Sequence, residues 1–218
     1  MVRQQVLGRG IDNPRLLHAL LATPRHLFVE EALSERAYGD GALPIGWGQT
    51  LSQAYIMARM IDLLQVVPGD RVLEVGTGSG YQSALLSQIG AEVFSMERLE
   101  PLAQRARENW RRARIRGIRI RVGDGTIGWA DEAPFTAILV SAAAPAVPPA
   151  LVAQLASGGR MVIPVGDAVE QRLRWIRRSP TCPSPRVLPS SLERPCRPAA
   201  LRARPSHVKE KAETGKPG

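Results

Sequence analysis

Cysteine is almost missing from this 218-residue chain: there are two, Cys182 and Cys196, both within the last forty residues. The first 178 residues therefore offer no thiol for a disulfide, a thiolate metal site or a cysteine nucleophile, and no residue is assigned to a metal. Long apolar runs are missing too. The stretch from Leu16 to Ala22 is interrupted by His18 and falls far short of the ~20 residues of a membrane span, so no transmembrane helix is expected. Arg3 and Arg9 are followed by Asp12 and Asn13 rather than by an apolar signal core, and a cytoplasmic location is the default expectation. There is no internal repeat.

What charge there is sits unevenly. Of the net +9, residues 179–218 carry 8 Lys/Arg against 3 Asp/Glu, leaving 21 against 17 for the rest, so the basicity says little about the partner of the main body. Eight of the 18 prolines also fall after residue 178. Such a composition buries too little apolar surface to offset the entropy of ordering. The domain boundary is placed near Arg178, with residues 1–178 as one domain and 179–218 as a disordered Pro/Arg-rich tail.

Within the domain the periodicities alternate. Asn13 followed by Pro14 reads as an N-cap with proline in the first turn, opening a helix with Leu16, Leu17, Leu20 and Leu21 on one face. A second amphipathic stretch carries Ile56, Met57, Met60, Ile61 and Leu64 and is closed by Pro68-Gly69. From there we read strand 71–75, helix 81–89, strand 92–96, helix 99–113, strand 118–122, strand 137–140, a helix over 148–155, a turn at Ser157-Gly158-Gly159 and strands 161–165 and 173–176. Short β-branched runs separated by helices imply an α/β fold, a doubly wound, mostly parallel Rossmann-like sheet with helices on both faces, an N-terminal helical segment and ligands at the carboxyl ends of the strands.

The most specific segment is Val72-Leu-Glu-Val-Gly-Thr-Gly-Ser-Gly-Tyr81, a buried strand with Glu74 near its end and Gly76, Gly78 and Gly80 leading into a helix. Dinucleotide enzymes space their glycines G-x-G-x-x-G to seat a pyrophosphate. Here the third glycine comes one residue early, and an acid just ahead of the loop suits a cationic amino-acid moiety better than a phosphate. Glu97 ends the next strand, near the ~20-residue interval at which an acid accepts from ribose hydroxyls. Asp124, followed by Gly125, ends the strand after that, placed to reach an adenine edge. Three acids at three consecutive strand ends would line one crevice; the plainer reading of each is a helix cap.

These segments resemble the class I methyltransferases that use S-adenosylmethionine. From about Pro24 to Gly166 the chain is similar, more narrowly, to the protein-L-isoaspartate O-methyltransferases. The likeness rests on Pro24-Arg-His-Leu-Phe-Val29, Ala37-Tyr38, Leu43-Pro-Ile-Gly-Trp-Gly-Gln-Thr-Leu-Ser52-Gln53, the glycine loop, Gly123-Asp-Gly125, Ala133-Pro-Phe135, Ala142-Ala-Ala-Pro145 and Gly158-Gly-Arg-Met-Val-Ile-Pro-Val-Gly166. It implies methyl transfer from S-adenosylmethionine to the free carboxylate of L-isoaspartyl residues in damaged proteins and peptides. It also implies that Glu74, Gly76, Gly78, Gly80, Glu97, Asp124 and Gly125 hold the cofactor, and that Thr50, Ser52 and Gln53 meet the substrate, with Ser52 on the carboxylate.

The segment from Pro44 to Tyr55 reads as an irregular loop folding over a pocket, with Gly46 and Gly48 giving it freedom. Ser52 on its own also reads as the N-cap of the following helix. Where the family usually has proline after the Ser-Gln pair this chain has Ala54, which makes the loop less rigid. His18 and His26 read as packing or surface residues. The eight arginines from Arg105 to Arg121 read as a solvated helix face without the interleaved aromatics of a nucleic-acid surface, so no nucleic-acid partner is assigned and a monomer is expected. Trp110 and Trp175 read as packing residues and Trp47 as a peptide contact. The tail lacks the family's closing Val-x-Phe-Val-Pro-Leu-like run, which predicts a sheet short of its terminal strands and an impaired enzyme. A methyltransferase acting on RNA or a small molecule, and a non-catalytic module on the same fold, remain as rival readings.

Overall fold

In the computed structural model, residues 1–167, 170–179 and the backbone of 186–188 are described. A turn of π-helix and several 3₁₀ turns surround α1 (Pro14–Ala22) at the start of the chain. Asn13 caps α1 by accepting from the amides of Arg15 at 3.2 Å and Leu16 at 3.4 Å, as its sequence position demands. Leu16, Ala19 and Leu20 are buried, whereas Leu21 turns outward at 72% exposed.

A hairpin, β1 (Leu43–Gly46) and β2 (Gln49–Leu51), then leads into α2 (Ala54–Leu64), which buries Met57, Met60, Ile61 and Leu64. The main body follows as β3 (Arg71–Val75), α3 (Tyr81–Ile89), β4 (Glu92–Glu97), α4 (Glu100–Arg112), β5 (Ile118–Val122), β6 (Phe135–Val140), α5 (Pro149–Ala153), β7 (Leu155–Gly166), β8 (Gln171–Arg177) and β9 (Arg186–Leu188). The sheet runs β5-β4-β3-β6-β7-β8-β9. β3 to β7 are parallel, and β8 and β9 return antiparallel.

Alternation along each strand feeds two cores. Val72, Val93, Ala137, Leu139 and Val162 join the cluster of α1 to α4, while Leu73, Phe94, Ile138, Met161 and Ile163 face α5. Both faces of the parallel sheet are thus covered, as its uninterrupted apolar strands require.

Three expectations change. Ser157-Gly158-Gly159 lies inside the twelve-residue β7, where the ladder with β6 shifts register between Phe135 and Ala137 and Gly158 takes φ +73°. A bulge, not a turn, absorbs those glycines. The segment at 43–51 is a paired hairpin, not an irregular loop: Trp47 (φ 49°) and Gly48 (φ 69°) form a two-residue turn with both central residues left-handed, the geometry that matches strand twist. Finally, Val187 pairs with Ile176 and Leu188 with Trp175, so three residues of the tail do add a strand. The remainder of the expected disordered tail, with Cys182 and Cys196, lies outside the described residues. Among the described residues, no helix is long and apolar enough to cross a membrane.

Candidate active site

The order β5-β4-β3 brings the carboxyl ends of three parallel strands to one edge, and the glycine loop leaves β3 there. Gly78 has φ +55° and Gly80 φ +82°, values that a side chain strains. Space forbids one as well at Gly80: a Cβ there would lie 2.5 Å from Trp110 Nε1. That indole donates to the Gly80 carbonyl at 2.7 Å, and Asn109 Nδ2 donates to the Ser79 carbonyl at 2.9 Å. Helix α4 therefore grips the loop, which gives Trp110 a second task beside packing.

Glu97, 7% exposed, faces the loop from the end of β4: its Oε2 accepts from the Gly78 amide at 2.8 Å and its Oε1 from the Leu99 amide at 3.0 Å. Glu74 is placed differently from the expectation that it lines the crevice. Its carboxylate is fully buried behind the loop, where Oε2 accepts from the Ser83 and Ser95 hydroxyls, the latter at 2.6 Å. Burial pushes its pKa from 4.5 up to about 7 against the lowering by these hydroxyls, and the nearby Glu97 adds to the rise. Asp124 is exposed and caps the 3₁₀ turn after it, Oδ1 accepting from the Thr126 amide at 2.9 Å and hydroxyl at 2.8 Å. Those bonds hold its carboxyl below the usual range, and for this acid the cap is realised. Gly125 lies against Val75, leaving no room for a Cβ.

The raised pKa of Glu74 makes stability depend on pH. The folded state keeps a proton that the unfolded chain gives up near 4.5, so stability falls as pH rises from about 4.5 to about 7 and is level above that. The total is on the order of 3 kcal/mol for a fully buried group. In Glu74→Gln we expect denaturant midpoints at pH 5 and pH 8 to draw together relative to the parent. An unchanged gap would assign the pH dependence to another group.

A fit to a polar ligand is visible in what the protein leaves unpaired. Glu74 Oε1, Ser79 Oγ and Gln82 Nε2 are buried without a hydrogen-bond partner among the described residues, as are the Tyr81 hydroxyl, which belongs to a ring packed on Phe28 and Arg25, and Gln5 Oε1 and Thr23 Oγ1 nearer the N-terminus. Buried polar groups are otherwise almost always paired, and the first three belong to β3, the glycine loop and the first turn of α3.

The hairpin sits directly on this loop. Ile45, 2% exposed, lies with its Cδ1 3.3 Å from where a Gly78 Cβ would be. Arg105 of α4 ties the hairpin down by donating to the Ile45 carbonyl at 2.8 Å and to Glu30 at 3.2 Å, while its guanidinium stacks 4.8 Å from the Trp47 ring centroid. Thr50 is exposed and Ser52 half-buried. Gln53 Nε2 donates to Asp40 at 2.6 Å. Ser52 is not a helix cap: Gln53 holds the N-cap position without a side-chain bond, and Ala54 opens the helix where a proline would also fit. The Ser52 carbonyl accepts from Arg25 Nη2 at 2.7 Å. Arg25, fully buried, belongs to the Pro24-Arg-His-Leu-Phe-Val29 segment, and the sequence alone gives it no role. His26 Nδ1 lies 2.7 Å from the Tyr38 hydroxyl at the surface, and Trp175 Nε1 donates to the Leu63 carbonyl at 3.0 Å, in keeping with packing roles.

Comparison with known proteins places this geometry. The family model for protein-L-isoaspartate(D-aspartate) O-methyltransferase matches residues 1–183. The protein-L-isoaspartate O-methyltransferase of Trichlorobacter lovleyi is 55% identical over 179 residues, 82% of each chain. Among solved structures, a protein-L-isoaspartate O-methyltransferase superposes with a TM-score of 0.73 at 27% identity, over 79% of this chain and 57% of that one. A Plasmodium falciparum protein described as a putative protein-L-isoaspartate O-methyltransferase, in complex with S-adenosyl-L-homocysteine, superposes with 0.68 at 27% identity, over 79% and 86%. With its strand order, glycine loop and hairpin in place, the chain belongs to the protein-L-isoaspartate(D-aspartate) O-methyltransferase family.

Proposed function

We propose that residues 1–178 form a methyltransferase domain that methylates the free carboxylate of L-isoaspartyl residues in damaged proteins and peptides, with S-adenosylmethionine as methyl donor. The observation that carries this reading is the seating of the 43–51 hairpin on the glycine loop that would hold the donor, Ile45 against Gly78, with Ser52 following directly after the second strand of that hairpin. In this reading the backbone at Gly76, Gly78 and Gly80 admits the donor, Glu97 takes its ribose hydroxyls, Asp124 and Gly125 border its adenine, and Glu74 Oε1 accepts from its ammonium. When bound, S-adenosylmethionine supplies a methyl group on a positively charged sulfur. The acceptor carboxylate, with a pKa near 4, is ionised at neutral pH, so no residue is needed as a base. What remains for the protein is alignment and partial desolvation. The Ser52 hydroxyl, without a hydrogen bond among the described residues, donates to the carboxylate, Thr50 and Gln53 border it, and Trp47, 49% exposed, meets the flanking peptide.

The same proposal covers a monomer working in the cytoplasm without a nucleic-acid partner. Arg105, Arg107, Arg119 and Arg121 are engaged with Glu30, Glu100, Glu92 with Glu132, and Asp131 respectively, which supports a solvated face. The test is incubation of the purified chain with labelled S-adenosylmethionine and paired peptides containing aspartate or isoaspartate. Label on the isoaspartyl peptide alone is expected. Label on neither peptide, or on both alike, would favour the rival readings.

A further inference from the structure

Arg25 is a buried cation without an anion. Its side chain is 0% exposed, and no carboxylate lies within ion-pair reach of it among the described residues. Its hydrogen bonds go to neutral acceptors: Nε to the Ala37 carbonyl at 2.8 Å, Nη2 to the Ser52 carbonyl at 2.7 Å and, weakly, Nη1 to Met57 Sδ at 4.0 Å. The guanidinium carbon stands 5.1 Å from the centre of the Tyr81 ring, which offsets part of the desolvation. Burial pulls the guanidinium pKa down, so the charge is held at a cost. Two carbonyls require donors, not a charge, and a neutral amide would bridge them without the penalty of burying an unpaired ion. The cation also occupies a particular seam. On one side is the Ser52 segment; on the other is Tyr81, the first residue of α3 directly after Gly80.

Resting on the function proposed above, we infer that Arg25 is a positioning residue that supplies the missing counter-charge to the substrate carboxylate. It acts from beneath, holding the Ser52 backbone in place and lending an uncompensated positive field to the acceptor subsite, without touching the substrate. In poorly solvated surroundings such a field reaches several ångströms. It favours the ionised acceptor over any neutral one, and it ceases to favour the product, since methylation removes the negative charge. Arg25 thus contributes to discrimination against uncharged acceptors and to release after transfer.

The test compares two peptides that differ only in charge: the isoaspartyl peptide and its analogue with that carboxylate replaced by carboxamide. Their affinities are measured by calorimetry on the full chain saturated with S-adenosylhomocysteine, for the parent and for Arg25→Lys, Arg25→Gln and Arg25→Met. We expect the parent to bind the acid at least tenfold more tightly than the amide. In Arg25→Gln that ratio collapses toward one, while amide and adenosylhomocysteine affinities stay within about threefold; in Arg25→Met, which also releases the Ala37 and Ser52 carbonyls, the ratio collapses and both peptides bind more weakly; Arg25→Lys keeps most of the ratio. Loss of acid and amide binding in equal proportion would make Arg25 a structural staple only and overturn the inference. So would a parent that binds both peptides alike, a result that needs no variant to fold. Absence of methyl transfer to isoaspartyl peptide by the parent would instead strike the function proposed above.

Discussion

Replacing Ser52 with alanine is expected to lower kcat/KM for an isoaspartyl peptide about tenfold to a hundredfold, while adenosylhomocysteine affinity and melting temperature stay close to those of the parent. A hydrogen bond to a charged acceptor contributes roughly 1.5 to 3 kcal/mol, and Ser52 has no other task to lose. It does not cap α2, since Gln53 holds that position, and its structural tie to Arg25 runs through the backbone carbonyl, which alanine retains. Steady-state kinetics per folded molecule, set beside a thermal melt, separates the outcomes. A variant that loses several degrees of stability but keeps full turnover would return Ser52 to a structural role.

Gly78→Val is expected to reduce adenosylhomocysteine affinity by more than a hundredfold. Valine at φ +55° is strained by roughly 1 to 2 kcal/mol, and its Cβ would press on Ile45 Cδ1 at 3.3 Å. The loop would have to move, drawing the Gly78 amide away from Glu97. A branched side chain would also stand where the backbone is proposed to approach the donor. Calorimetry on protein shown to be folded by its melt is the measurement. Normal binding would take the glycine loop out of the site.

The central α/β units were legible because their signals are local. Strands 71–75 and 118–122 and helix 81–89 fall on the residues that their apolar runs and flanking glycines mark. The hairpin was not. Its turn is Trp47-Gly48 rather than an asparagine or aspartate before glycine, so Gly46-Trp47-Gly48 reads as irregular. The bulge at Gly158 was misread for a related reason: glycines signal a departure from regular backbone, and pairing partners far along the chain decide whether that departure is a turn or a bulge. Within the site, Glu97 beside the loop was readable from its interval after Glu74. The inward turn of Glu74 was not, because it depends on Ser83 and Ser95 meeting it across two elements. Arg25 was invisible in the same way. Nothing in Pro24-Arg-His reveals that carbonyls at Ala37 and Ser52 converge on one guanidinium.

The outer rim of β5 bears on how the protein behaves when crowded. As the terminal strand of the sheet beside β4, it presents unpaired amides and carbonyls, which in a flat apolar strand would invite another molecule to add its own strand. Its sequence alternates isoleucine with Arg119 and Arg121, about half exposed at 53% and 49%. Arg119 is held by Glu92 and Glu132 and Arg121 by Asp131, so an incoming strand would have to displace ion-paired, hydrated side chains instead of meeting a flat apolar edge. Arginines that resemble a patch for an acidic polymer serve here as gatekeepers of colloidal solubility.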